Sequence, residues 1–435
     1  MLKKRENLNT SNTWYILYIF FAVFQPPILP ISFIYVLGII TFILLGLEYR
    51  GVLNGNVLNK CKLNKLIYLF GFMFCYLIVI DIFGVITSSS DLFNNRLRCI
   101  NQLVVLSLIQ FLAIWYIILL SEKRQYTFEQ VLKNLITVGG IQGVCAIAAY
   151  ISPAIRSIFT RYADQVLFTN AFFVERRGYG FSGTLIDTFG YGMGLIGGYL
   201  ILSDLSKDKL KKSVLLCLIV FSIFMNARTG LVILAIAFLI KLVQAEKLWV
   251  QIGKVIIAVP ILYLIVFVAV PKFFDATVNS SNITISWVMQ DLQELYNTLI
   301  FGRQTGASLA DASFLSNFSY FPTDALTFIF GSGHSIYDTG AILGFRTDVG
   351  YINLLWEFGV FGSIIIIGGM MVWMLTPFFK TKDAFIKSIV LFNAISYLIV
   401  MFKAILIGYN PGVFVNYFTT ALVYFYVRKK AESVV

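Results

Sequence analysis

Long apolar runs, separated by short polar stretches, make up most of the chain. Runs of spanning length occupy residues 14–25, 31–47, 66–86, 102–120, 134–152, 184–203, 213–225, 229–244, 255–270, 350–376, 388–406 and 413–427. A helix needs roughly 20 apolar residues to cross a bilayer. The pattern therefore predicts an all-α polytopic membrane protein of about 12 transmembrane helices, with 1–435 forming a single membrane domain. Most connections are short, but 87–101 and 153–183 are longer, and 271–349 is far longer than a connector needs to be. This large loop, between predicted helices 9 and 10, lacks the core-forming runs of a separate domain. It holds one amphipathic helix. Ile285, Val288, Met289, Leu292, Leu295, Tyr296 and Leu299 follow helical spacing, and Gln290, Asp291, Gln293, Glu294 and Asn297 fall elsewhere. Its polar face carries no Lys or Arg, so a lid over the bundle suits it better than an anionic-lipid anchor. A structural cover without chemistry suits it equally.

Composition removes the soluble alternative. Hydrophobic residues make up 58% and charged residues 13% of 435 positions, against about half and about a quarter in soluble domains. The net charge of +12 is explained by topology. If the N-terminus is cytoplasmic, 23 of the 34 basic residues fall in inside segments, among them Lys3, Lys4, Arg5, Lys60, Lys62, Lys123, Arg124, Lys211, Lys212, Lys380, Lys382, Arg428, Lys429 and Lys430. Charges in the outside segments cancel. The positive-inside bias thus predicts that both termini are cytoplasmic, and leaves no reason to expect nucleic acid as a partner. The first run carries no small-residue cleavage site and passes through Gln25-Pro26-Pro27 into a second helix, so no cleaved signal peptide is expected. Five scattered cysteines and one histidine argue against a disulfide framework and against zinc. No phosphate-binding Gly-x-x-x-x-Gly-Lys segment is present, which disfavours ATP-driven transport by this chain alone, and no cofactor is expected.

Polar residues that interrupt the apolar pattern are the candidates for chemistry. The run 213–225 is short for a bilayer, so either Lys211 and Lys212 snorkel to lengthen it or Arg228, in Asn226-Ala227-Arg228-Thr229-Gly230, lies below the outer surface. Asp187 opens a face continued by Gly190, Gly194 and Gly198, a spacing that admits another helix closely. Glu357 shares a helical face with Arg346, Gly350 and Asn353. Each acid can equally be a paired structural group. Nine of the ten outside basic residues are arginine, including Arg176, Arg177, Arg228, Arg303 and Arg346. Arginine presents a planar, permanently charged fork that fits phosphate oxygens. The lone histidine, His334, follows Gly331-Ser332-Gly333, near Asp338 and Asp348. A neighbouring carboxylate would raise its basicity, and the glycines leave backbone free to approach a substrate. A structural histidine is the simpler alternative.

Three stretches carry a family resemblance. Gly331-Ser332-Gly333, followed by Thr347-Asp348-Val349-Gly350-Tyr351 and by Glu357-Phe358-Gly359-Val360-Phe361-Gly362, resembles the end of the large outside loop in Wzy-type polymerases of O-antigen and capsular polysaccharide, relatives of the O-antigen ligases. Asn226–Gly230 resembles the arginine turn of that family, and Arg177-Gly178-Tyr179-Gly180-Phe181-Ser182-Gly183 its approach to the middle helix. Where an Asn-Pro is common, Leu185-Ile186-Asp187 stands instead. The resemblance implies a metal-independent glycosyltransferase at the outer face of the bacterial cytoplasmic membrane. It would move a growing glycan from undecaprenyl pyrophosphate onto a lipid-linked repeat unit. Arg228 and Arg346 would grip the phosphates, with Arg176, Arg177 and Arg303 in support. His334, or else a nearby carboxylate (Asp338, Asp348 or Glu357), would take the hydroxyl proton, and Tyr351 and Asp187 would line the substrate site. Membrane lipids, a chain-length-regulating copolymerase and a flippase are the partners it suggests. A ligase, or a transporter of lipid-linked oligosaccharide, are the alternatives.

Overall fold

In the computed structural model the described residues, which are 2–48, 60–86, 101, 105–162, 180–183, 186–203, 208–224, 226, 229–244, 321–333, 349–404, 406 and 411–432, are mostly helical and contain no strand. Thirteen helices lie among them: α1 (Leu2–Phe24), α2 (Phe33–Glu48), α3 (Leu63–Ile86), α4 (Leu106–Lys123), α5 (Phe128–Ile151), α6 (Pro153–Phe159), α7 (Ile186–Leu202), α8 (Lys209–Phe224), α9 (Thr229–Val243), α10 (Ala325–Phe330), α11 (Gly350–Lys380), α12 (Ala384–Val400) and α13 (Pro411–Glu432). Eleven of the twelve apolar runs are helices; the twelfth, 255–270, lies outside the described residues. Four helices, within α3, α4, α5 and α11, are long and apolar enough to cross a membrane, and five further apolar helices are shorter.

The surface of the bundle carries apolar residues where a water-soluble helix would be polar. On α2, Ile34, Leu37 and Leu45 are buried, yet Ile39, Phe42, Ile43 and Leu47 on the other side are exposed. Helices apolar all round belong in a core or in lipid. Polar side chains cap several helix ends. Thr127 and Gln130 form a reciprocal capping box at the start of α5, Asp383 accepts from Phe385 N and Ile386 N at α12, and Asp208 caps α8. Each supplies an acceptor to amides that the helix itself leaves open.

One end of the bundle is basic. Lys60 lies 4.0 Å from Glu122 and 3.6 Å from Glu432. Lys212 and Lys241 donate to the last carbonyls of α7, Ser203 O and Leu202 O, at 2.8 and 3.2 Å, and Trp373 donates to Lys62 O at 3.1 Å. Helix α8 begins at Lys209, four residues before the seventh run, and so reaches roughly 24 Å; Arg228 lies outside the described residues.

Helix α7 forms the centre, packed against α5, α8, α9, α12 and α13. Its glycines allow this. A Cβ on Gly194 would meet Ile233 and the Gly230 backbone at 2.9–3.1 Å, and one on Gly230 would lie 2.8 Å from Gly190 O. The small-residue face read from the sequence therefore seats α9 directly on α7. Helices α3, α10 and α11 form a flank beyond this centre.

Candidate functional site

The site is built on an interruption of α11. The helix runs from Gly350 to Lys380, but Gly359 adopts φ 64°, ψ −177° and divides it in two. A helix ended within a bundle leaves carbonyls without intrahelical partners, and here three of them are supplied from elsewhere. Trp356 O accepts from Ser332 N at 2.8 Å and from Ser332 Oγ at 2.9 Å. Glu357 O accepts from Gly333 N at 3.1 Å. Phe358 O accepts from the Tyr76 hydroxyl at 3.1 Å, which also reaches Phe330 O at 2.9 Å. One phenolic proton is shared between the two carbonyls, so Tyr76 of α3 ties the loop to the break. Its ring lies beside Phe358 and Phe361.

Glycine is required on both sides of this contact. Gly331 has φ 85°, ψ 168°. A Cβ there would stand 2.6 Å from Gly359 N, and a Cβ on Gly359 would stand 2.5 Å from the Ile329 carbonyl carbon. The two backbones touch where side chains would otherwise intervene. The sequence reading gave Gly331 and Gly333 to a substrate; in the structure both lie against the α11 backbone.

Glu357 occupies the last turn before the break and is fully buried, as is Asn353 one turn earlier. Asn353 Nδ2 donates to Val349 O at 3.1 Å. A carboxyl group at such depth requires polar company, and the shared face expected of Asn353 and Glu357 is present. Gly350 N donates to Met401 O at 2.9 Å, and Tyr351 donates to Leu398 O at 2.7 Å while its ring meets Phe402 edge-on at 4.8 Å. These bonds fix the start of α11 to the end of α12. Beside them lies an apolar groove of about 300 Å³, lined by Phe321, Tyr351, Ile352, Leu355, Ile367 and Phe402, with Ser363 its hydroxyl.

Of the residues singled out by sequence, the structure thus describes Glu357 and Tyr351. Asp187 is the second residue of α7. Arg176, Arg177, Arg228, Arg303, His334, Arg346 and Asp348 lie outside the described residues, as does the amphipathic stretch 285–299.

A second polar cluster joins α7, α12 and α13. Tyr199 donates to Asn393 Oδ1 at 2.7 Å and contacts Thr419 Oγ1 at 2.7 Å. Asn393 Nδ2 reaches Thr419 and Thr420, and Asn416 Nδ2 reaches Tyr191 and Asn393 O. All are buried. Sequence reading missed this cluster, although two asparagines inside apolar runs are the signal that could have revealed it.

No family model, curated protein or solved structure matches the chain. Among the described residues, the structure establishes a helical architecture without strands, in which four helices are long and apolar enough to cross a membrane.

Proposed function

We propose that the protein is a polysaccharide polymerase of the bacterial cytoplasmic membrane, with about 12 spans and both termini in the cytoplasm. The observation that carries this reading is the Gly331-Ser332-Gly333 backbone bonded to the broken helix beside fully buried Glu357. These are the two halves of the motif on which the family resemblance rests. Further support for the orientation is the basic end of the bundle, where Lys60, Lys62, Lys212 and Lys241 gather.

The reaction joins a sugar hydroxyl of a lipid-linked repeat to the anomeric carbon of the growing glycan. The bond from that carbon to undecaprenyl pyrophosphate breaks, and the hydroxyl proton passes to a base. Arginines can stabilise the departing diphosphate without a metal. In this reading Arg228 and Arg346 hold the phosphates, Arg176, Arg177 and Arg303 assist, and His334, Asp348 or Glu357 receives the proton. Tyr351 and Asp187 line the substrate site. The broken helix also favours a second reading, a lipid-linked oligosaccharide transporter, because such breaks recur at transport sites.

Surface polysaccharide from cells carrying Glu357→Gln, Arg228→Ala or His334→Ala tests the proposal. Loss of long chains with single repeats retained, at unchanged protein abundance, is the expected result. Long chains of normal length in all three variants would refute it. Transport of the repeat lipid by vesicles containing only this protein would favour the transporter.

A further inference from the structure

The segment between Phe321 and Gly333 combines two properties that do not fit a loop in water. Helix α10 has no buried residue, and Phe321, Leu326, Phe328, Ile329 and Phe330 are all exposed large apolar side chains. No charged residue occurs between Asp324 and Gly333. Yet its backbone is bonded from Asp324 to Gly333. Asp324 accepts from Thr327 N and Phe328 N, Gly331 N donates to Thr327 O, Phe330 O accepts from Tyr76, and Ser332 N and Gly333 N donate to α11. A polar backbone satisfied within protein, beneath an apolar outer face, is what immersion in hydrocarbon demands.

The depth of the segment follows from its partners. Trp373 of α11 bonds Lys62 O at the basic end. Counting 14 residues along α3 from Lys62 leads to Tyr76, and counting 14 residues back along α11 from Trp373 leads to Gly359. At 1.5 Å per residue both lie roughly 21 Å from that level, inside a hydrocarbon layer roughly 30 Å thick. Tyr76 and Gly359 belong to helices able to span a membrane, and Phe330–Gly333 is bonded to both helices. The exposed face also continues the apolar outer surface of these helices at Val79, Ile82, Phe361 and Ile364.

We infer that Ala325–Gly333 is a re-entrant segment whose outer face lies against lipid acyl chains, in the leaflet remote from the basic end, with the exposed carboxylate of Asp324 at its water boundary. The stretch read from sequence as part of a water-side loop returns into the bilayer at its C-terminal end. The inference rests on α3 and α11 crossing the membrane and on nothing about the reaction, so a failed polymerase test leaves it standing.

The full chain, with its cysteines replaced, is placed in lipid nanodiscs, which leave both faces open to water. A fluorophore is attached at Leu326→Cys and, separately, at Ile329→Cys. Ile82→Cys on α3 serves as the lipid-facing reference and Glu129→Cys as the aqueous one. Nitroxide carried on acyl chains should quench Leu326→Cys and Ile329→Cys by at least about half the loss seen at Ile82→Cys, while iodide quenches them as weakly as it does Ile82→Cys. Iodide quenching equal to that at Glu129→Cys would overturn the inference. Protection from both quenchers would overturn it too, since another part of the chain would then cover the face.

Discussion

Replacing Gly359 by alanine tests the break in α11 directly. The substitution acts in two ways. It forces an L side chain into φ 64°, ψ −177°, a region essentially reserved for glycine, at about 1–3 kcal/mol. It also drives a methyl into the Ile329–Gly331 backbone, with the Ile329 carbonyl carbon at 2.5 Å. That backbone cannot rotate away like a side chain, so relief means separating loop from helix. The Ser332 N to Trp356 O and Gly333 N to Glu357 O bonds would then be lost, at about 0.5–1.5 kcal/mol each. Together these amount to about 2–6 kcal/mol, a large part of the stability of a typical domain. Gly368→Ala is the control, because it lies in the same helix and a Cβ there meets nothing within 4 Å. It should be neutral or stabilising by up to about 1 kcal/mol. Equilibrium unfolding in mixed micelles reads both. Gly331→Ala should resemble Gly359→Ala, and the double variant should cost less than the two added, because either methyl alone already parts the same contact. Wild-type stability for Gly359→Ala, or equal losses at 359 and 368, would refute the reasoning.

Other outcomes follow from the same geometry. Tyr76→Phe keeps the ring beside Phe358 and Phe361 but removes the donor to Phe330 O and Phe358 O, so it should destabilise by about 1–3 kcal/mol in the same unfolding assay. Tyr199→Phe removes a phenol bonded to Asn393 and Thr419. Bonds between membrane helices are modest, so the expected loss is about 0.5–2 kcal/mol, reduced when Asn393→Leu is already present.

The helices were legible because each apolar run is a local property, and eleven runs are helices with ends displaced by at most six residues, except that α1 begins twelve residues before its run. The burial of Glu357 was legible for the same reason, since its spacing from Asn353 puts both on one face. The break at Gly359 was not. Phe358-Gly359-Val360 lies within an unbroken apolar run, where a single glycine is ordinarily tolerated. What divides the helix there is Gly331, 28 positions earlier, and periodicity carries no information about such a partner. The polar cluster of α7, α12 and α13 escaped for a related reason. Tyr199, Asn393 and Asn416 each stand singly among apolar neighbours, and only packing brings them together.

That cluster limits how the molecule can move. Stepping α7, α12 or α13 round by one residue turns it through about 100°, which would strand the amide of Asn393 or of Asn416 in a medium with no substitute donor. The trio therefore behaves as a stator.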